Sequence, residues 1–419
     1  MTRSVAGNRT AAGGLLSGMN ETRGSDPAAA ARADGPAVLP RYLLLFALLF
    51  LGWGVLSPFL PAVLALQGAT ASEVGLLLGM GTALRLVAMP VAGAIADRTG
   101  APRQVLALAL LGAAASVLCY GMVGGGGVLL VVGVAHALAT APVGPLPDAL
   151  AVRAAAAPRG FDYGVVRGAG AAAFILASTG AGLAVAAAGS PNIVLWLNAG
   201  LFVLAAGAAL LLPRPAVQPS AMPLPTPGAG PVRALLRMPA FRRLVLVSGL
   251  IQGSHAFYTG FAVLGWQAAG IGPGSIGLLW SLSVLAEVLV FFLLGRRLLG
   301  WLGVGGTCAL AAAAGLLRWS AMALDAPVAV LVPMQLLHGL TFAAQHMAAM
   351  AVLARLAPDR LGGTAQALLA SLGTGLFTAV LLLASGGLYE QVGLAGFWAM
   401  AALCALAVPL AFSLPGRRT

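Results

Sequence analysis

Charge is what this sequence has least of. Of 419 residues only 8% are Asp, Glu, Lys or Arg, where a soluble domain carries about 25%. So few charges cannot coat one or two water-soluble domains of this combined size, which excludes an ordinary soluble enzyme. Lysine is missing altogether: all 23 basic residues are Arg, and with so much Ala and Gly this matches the coding bias of a GC-rich bacterial genome. Cysteine is nearly absent too. Cys119, Cys308 and Cys404 each lie inside an apolar run with neither pairing nor metal-ligand spacing, which excludes a disulfide framework and a zinc site. No H-E-x-x-H, G-x-S-x-G or Walker loop occurs, so a membrane-embedded enzyme has no catalytic constellation to build on.

What is present is apolar sequence in long runs. A bilayer core of about 30 Å needs about 20 residues of helix, and twelve runs of that order can be counted: 41–66, 72–96, 103–122, 127–151, 163–187, 192–212, 242–267, 275–298, 304–324, 328–353, 364–388 and 394–413. The expected fold is therefore all-α and integral to a membrane, with twelve transmembrane helices. The net charge of +12 would suggest nucleic acid, but the arginines sit in alternate connections between the runs. Twenty of the 23 fall on the side of the two termini, and the connections on the other side carry none. By the positive-inside rule both termini are expected in the cytoplasm, in a bacterial inner membrane, with the bilayer and not nucleic acid as partner.

Residues 1–39 lack a continuous apolar stretch followed by a cleavage site, and read as a disordered cytoplasmic tail rather than a signal peptide. Residues 213–241 are rich in Pro and read as a cytoplasmic linker between a six-helix bundle at 40–212 and a second at 242–413, with 414–419 a short tail. The two halves repeat at a constant offset of 202 residues: Gly75-Leu76-Leu77 matches Gly277-Leu278-Leu279, Gly93 matches Gly295, His136 matches His338, Arg153 matches Arg355 and Trp196 matches Trp398. Parallel six-helix repeats joined by a linker are the build of the major facilitator fold, in which substrate sites lie near the midplane between the halves.

After the second run comes GAIADRTGAPR, with Gly93, Asp97, Arg98, Gly100 and Arg103, which resembles the superfamily signature G-x-x-x-D-R-x-G. Gly93 would permit a close helix contact, Asp97 could accept hydrogen bonds from helix ends or pair with Arg, and Gly100 permits a tight turn. The resemblance implies a gating role. Further segments, GLLLGMGTALR, PLPDALA, DYGVVR, IQGSHAFYTGFAVLGWQAAG, GLLWSLSVLAEV, LRW and LLHGLTFAAQHMAAM, together resemble the 3-phenylpropionate transporter family, itself similar to the lactose permease and nucleoside proton symporters. That resemblance spans nearly all of 40–413 and implies a secondary active transporter, a functional monomer with no cofactor and a proton as coupling ion.

A charged side chain at the middle of a membrane helix costs about 2.5 to 3.5 kcal/mol and so points to a cavity and a function. The charged residues inside the runs are Arg85, Asp148, Arg167, Glu287 and Arg318, with His136, His255, His338 and His346 beside them. Arg can make a bidentate contact to a carboxylate or to paired hydroxyls, and the resemblance assigns Asp148 and Arg167 to substrate. The bland alternative is that both snorkel or pair with loop charges. Glu287 sits too deep for any loop to relieve its charge and is expected to be paired or protonated, as proton coupling requires. The resemblance implies a pairing of Glu287 with Arg167 across the halves, and places His338 and Arg318 at the proton site. There the sequence departs from the family: Thr341 stands where an acid is expected, Gln335 replaces a Lys, and His255 occupies the neighbourhood of missing acids.

Arg85 matches Glu287 across the repeat, and three intramembrane arginines face two acids. This imbalance suggests a small organic anion as substrate. The alternatives are a sugar or nucleoside proton symporter, a proton-driven drug exporter, or a sensor that binds without translocating. Helix five lacks the proline of the exporters' G-P-x-x-G-G pattern, which favours symport. Trp53, Tyr258 and Trp280 are the aromatic residues expected to stack on an aryl group, against the alternative that they are packing.

Overall fold

The computed structural model describes residues 35–157, 160–213, 229–356 and 361–414. The tail up to Asp34, most of the Pro-rich stretch (214–228) and the last five residues lie outside them. Every regular element described is helical. The membrane helices are α1 (Gly35–Leu66), α2 (Ala71–Thr99), α3 (Pro102–Tyr120), α4 (Gly126–Ala155), α5 (Tyr163–Ala188), α6 (Ile193–Leu211), α7 (Pro239–Gly253 continued by His255–Ala268), α8 (273–302), α9 (304–323), α10 (Val328–Leu356), α11 (362–392) and α12 (Phe397–Ala411).

Among the described residues nine continuous helices are long and apolar enough to cross a bilayer, and the twelve spans follow from two facts about the backbone. Pro273–Ala323 would be 51 residues of helix, and Gly362–Ala411 another 50, each about 75 Å at 1.5 Å per residue and far beyond a 30 Å core. Gly303 (φ 64°) and Gly393 (φ 56°) break them in two, because only glycine takes the left-handed region without strain. The seventh span is interrupted at Ser254 and so falls short as one continuous helix. Part of the expected linker is itself helical: Ala229–Arg237 forms a short helix that buries Leu235, and α7 begins at Pro239.

Local chemistry sets the helix ends. Thr70 and Glu73 form a reciprocal capping box at the start of α2, Asp162 accepts from the Gly164 N–H at the start of α5, and Gly100 (φ 60°) closes α2 in the left-handed conformation. Large apolar side chains remain exposed around the outside, Trp196 and Trp398 among them, as lipid-facing surfaces require.

From Val38 onward the chain is one compact unit. Within it α5 packs along α8, α2 along α11, α3 along α6 and α9 along α12. The first two seams are drawn tight on the side away from the termini. A Cβ on Gly75 would lie 2.8 Å from the Gly386 nitrogen, and one on Gly277 would lie 2.5 Å from the Ser178 carbonyl oxygen. Hydroxyls and a carboxylate finish the seal. Ser281 Oγ lies 2.7 Å from both Ser178 Oγ and Thr179 Oγ1, while the backbone N–H and hydroxyl of Ser72 donate to the Glu390 carboxylate at 2.8 and 2.6 Å. Nearer the termini, Gly93, Gly168 and Gly362 on the same helices have nothing within 4 Å of a would-be Cβ.

Candidate functional site

The helices of the second half of the chain lose their regularity where the charged residues sit. α7 breaks at Ser254, immediately before His255. α8 winds into a π-helical turn at Val290–Leu294, three residues after Glu287, and α10 does so at Gly339–Ala344, directly after His338. A π turn re-aims side chains by admitting an extra residue, and such turns recur at functional sites.

Arg318, on α9, lies at the centre of this region with none of its surface exposed. It donates from Nη1 to His338 Nδ1 (3.0 Å) and from Nη2 to Gln335 Oε1 (2.8 Å), and its guanidinium faces the rings of Tyr258 (4.6 Å) and Trp319 (4.5 Å). No carboxylate reaches it among the described residues, and its Nε and the Gln335 amide nitrogen are left without partners. Cation–π contacts and hydrogen bonds to neutral groups therefore hold a cation where an ion pair would be expected. Ser283 also donates to Gln335 Oε1 (2.9 Å), and Trp319 donates to Ser254 Oγ (2.9 Å).

The geometry fixes two histidine tautomers. Arg318 can only donate, so His338 Nδ1 accepts and the proton is on Nε2, which points at Glu287 Oε2 3.7 Å away. His255 Nδ1 faces the carbonyls of Ile251 and Gln252 at 3.1 and 3.2 Å and must carry the hydrogen, leaving Nε2 to accept from Thr341 Oγ1 at 3.0 Å. The position where the family places an acid is thus a hydroxyl that satisfies a buried histidine.

On the other wall Arg167 Nη1 lies 3.5 Å from Asp148 Oδ1, with the two side chains 45% and 39% exposed, and the Tyr163 hydroxyl donates to the same oxygen at 2.8 Å. Phe50, on α1, lies 5.1 Å from the Arg167 guanidinium and holds Trp53 edge-on at 5.0 Å. Arg85 is half-buried and, among the described residues, donates only to Thr82, at 3.2 Å.

Several expectations change on this geometry. Glu287 and Arg167 form no ion pair here: from the contact of Ser178 with Ser281, Arg167 lies eleven residues along α5 and Glu287 six along α8, so the two sit at different depths. Tyr258 and Trp280 stack on one another at 4.8 Å and are only 4% and 8% exposed, so they pack against each other, Tyr258 also against the Arg318 guanidinium, instead of facing open space. Gly93 makes no close contact, and Asp97 and Arg98 are exposed without a side-chain partner among the described residues. Gly100 does make the tight turn. Arg103 is buried and donates to the carbonyls of Leu210 (3.1 Å) and Leu212, capping the end of α6. Gln335, Ser283 and Ser254 were not singled out in the sequence as site residues. Their signal was an amide and hydroxyls inside apolar runs, one turn from a charged or aromatic residue.

Twelve spans with charged side chains between them and two tight seams on one side are the build of a membrane transporter. The chain belongs to the MFS_1 like family, whose model matches residues 40–400. It is 31% identical over 372 residues to the "Probable 3-phenylpropionic acid transporter" of Escherichia coli (strain K12), covering 87% of this chain and 94% of that one. It is 28% identical over 390 residues to the "Maltose permease" of Geobacillus stearothermophilus, covering 90% and 94%. Among solved structures, the nucleoside transporter NupG superposes with a TM-score of 0.78 at 17% identity, covering 90% of this chain and 98% of that one. A D-xylose-proton symporter superposes with a TM-score of 0.65 at 14% identity, covering 91% and 98%.

Proposed function

We propose that this secondary transporter imports a small organic anion, an aryl carboxylate such as 3-phenylpropionate, together with a proton, by alternating access. One observation carries the reading: of the three arginines inside the membrane, only Arg167 has a carboxylate partner among the described residues, so Arg85 and Arg318 leave the site with excess positive charge. A bound carboxylate supplies the missing charge. The likeness to a probable 3-phenylpropionic acid transporter over most of both chains supports the same substrate class.

In this reading Glu287 carries the proton. His338 cannot take a second one without setting an N–H against the Arg318 N–H, so a proton arriving at the pair belongs on the Glu287 carboxylate, which is still 26% exposed. Arg167 and Asp148 contact substrate from the opposite wall. Substrate drawn between Arg167 and Glu287 links binding to protonation and to the alternation between the two sides. The arginine-rich connections support a reading with both termini in the cytoplasm of a bacterial plasma membrane, in which the tight α2–α11 and α5–α8 seams lie on the outer side. A neutral polyhydroxylated substrate is the second reading, favoured by the fact that Asp148 already neutralises Arg167.

The test is uptake of labelled 3-phenylpropionate into proteoliposomes with and without an inward proton gradient, with maltose and a nucleoside as competitors. Gradient-driven accumulation, insensitive to the competitors, is expected. Uptake of maltose or nucleoside in its place overturns the anion assignment, and uptake unaffected by the gradient overturns the coupling.

A further inference from the structure

Away from the charged centre, a cavity of about 320 Å³ opens where α8, α9 and the end of α10 meet on the side of the termini. Arg296 and Arg355 line it together with Leu299, Gly303, Val304 and Ala351. The two arginines come from different spans, 59 residues apart in sequence, and meet at the cavity beside Gly303, where α8 passes into α9 without a loop. Neither forms an ion pair among the described residues, and both side chains are exposed. Arg297, next in the chain, does not line the cavity.

Depth identifies what the cavity meets. It lies at the ends of three membrane helices, and just beside it Trp301 is 78% exposed, with Leu302 and Phe292 also turned outward. An exposed indole among exposed aliphatics marks the level where hydrocarbon gives way to headgroups. We infer that this cavity binds the phosphate of an anionic glycerophospholipid, its two guanidiniums holding the phosphate oxygens while Leu299, Val304 and Ala351 face the glycerol and the first acyl carbons. Two positive charges select an anionic over a zwitterionic headgroup, and basic pockets between membrane helices are the usual form of such sites. A volume of 320 Å³ falls at the lower end of small-ligand sites, the size of a headgroup and not of a whole lipid. The inference rests on the membrane-spanning fold alone and holds whatever the transported substrate is.

The experiment is native mass spectrometry of the full chain in detergent, titrated with dioctanoyl phosphatidylglycerol and with dioctanoyl phosphatidylcholine. Preferential retention of phosphatidylglycerol is expected, falling roughly 30-fold in Arg296→Ala/Arg355→Ala and less than about threefold in Arg297→Ala at physiological salt. If the double variant is not recovered folded, Arg296→Gln and Arg355→Gln singly serve the same comparison. Equal retention by the double variant and the wild type overturns the site. An equal loss in Arg297→Ala overturns it in favour of diffuse surface charge. Displacement of the lipid by millimolar inorganic phosphate, with the same dependence on Arg296 and Arg355, overturns the lipid as source and assigns the cavity to a soluble oxyanion.

Discussion

Replacing Gly277 by alanine puts a methyl group into the backbone of the facing helix. Its Cβ would lie 2.5 Å from the Ser178 carbonyl oxygen, 3.1 Å from Gly182 Cα and 3.2 Å from Gly182 N. None of these is the end of a flexible side chain, so α5 and α8 must move apart. Overpacking of this kind costs about 1 to 3 kcal/mol, and the cost falls on the sealed arrangement only, because separated helices have room for the methyl. The ratio of opened to sealed molecules should therefore rise between roughly 5-fold and 150-fold, at about 1.4 kcal/mol per decade. A reporter on the other seam tests this without disturbing the mutated one. Leu382, on α11, is buried and its carbonyl oxygen lies 2.8 Å from where a Gly75 Cβ would be. Leu382→Cys, with Cys119, Cys308 and Cys404 replaced by serine, is exposed to a membrane-impermeant maleimide and its labelling rate compared with and without Gly277→Ala. A rise within the range above shows that both seams open as one movement. A rate unchanged within about twofold, in protein of unaltered thermal stability, refutes the reasoning that the glycine contact holds the seal.

Three further outcomes are expected. Glu287→Gln should abolish accumulation against a gradient in proteoliposomes while substrate exchange persists, and full accumulation by this variant removes Glu287 from the coupling role. Arg167→Lys should weaken substrate binding roughly 10-fold or more, measured by equilibrium dialysis, because a point charge does not replace a planar fork that also lies against Phe50; unchanged affinity returns Arg167 to a structural partner of Asp148. Glu390→Gln keeps the shape but loses the charge that accepts from Ser72, so the labelling rate at Leu382→Cys should increase, and an unchanged or lower rate contradicts a part for this contact in the seal.

The span count was legible because apolar length is a strong signal and survives even where the backbone is irregular: α7 was visible as a run although Ser254 interrupts its helix. Glycines at 303 and 393 were not marked as the breaks, since their left-handed φ is one of many uses for glycine in a chain holding 57 of them. In the site, Glu287, Arg318 and His338 could be singled out because charge in apolar sequence is rare and costly. Which of them touch could not. The pairing of Asp148 with Arg167 instead of Glu287 with Arg167 depends on the register of α5 against α8 at their contact point, a tertiary quantity with no local signature. The aromatic residues misled for a related reason: Tyr258 and Trp280 have the same apolar neighbours whether they face a ligand or each other. Gln335 was noted as a departure from a family pattern, but its role as the acceptor for Arg318 and Ser283 needed three helices to be assembled.

The π turns carry a consequence for how the two halves of the chain compare. The stretch of α4 that matches Gly339–Ala344 under the 202-residue register ends in the tight turn Ala141–Val143, wound as a 3₁₀ helix. One copy is overwound where the other is underwound, with no residue inserted or deleted between them. Since each helical residue accounts for about 100° of rotation, the two segments that follow present aligned residues in different directions. Arg153 and Arg355 share a place in the repeat but follow stretches of opposite winding. Duplicated segments can thus diverge in what they aim at by changing screw instead of length, and a segment transplanted from one copy to the other would arrive correctly spaced and wrongly turned.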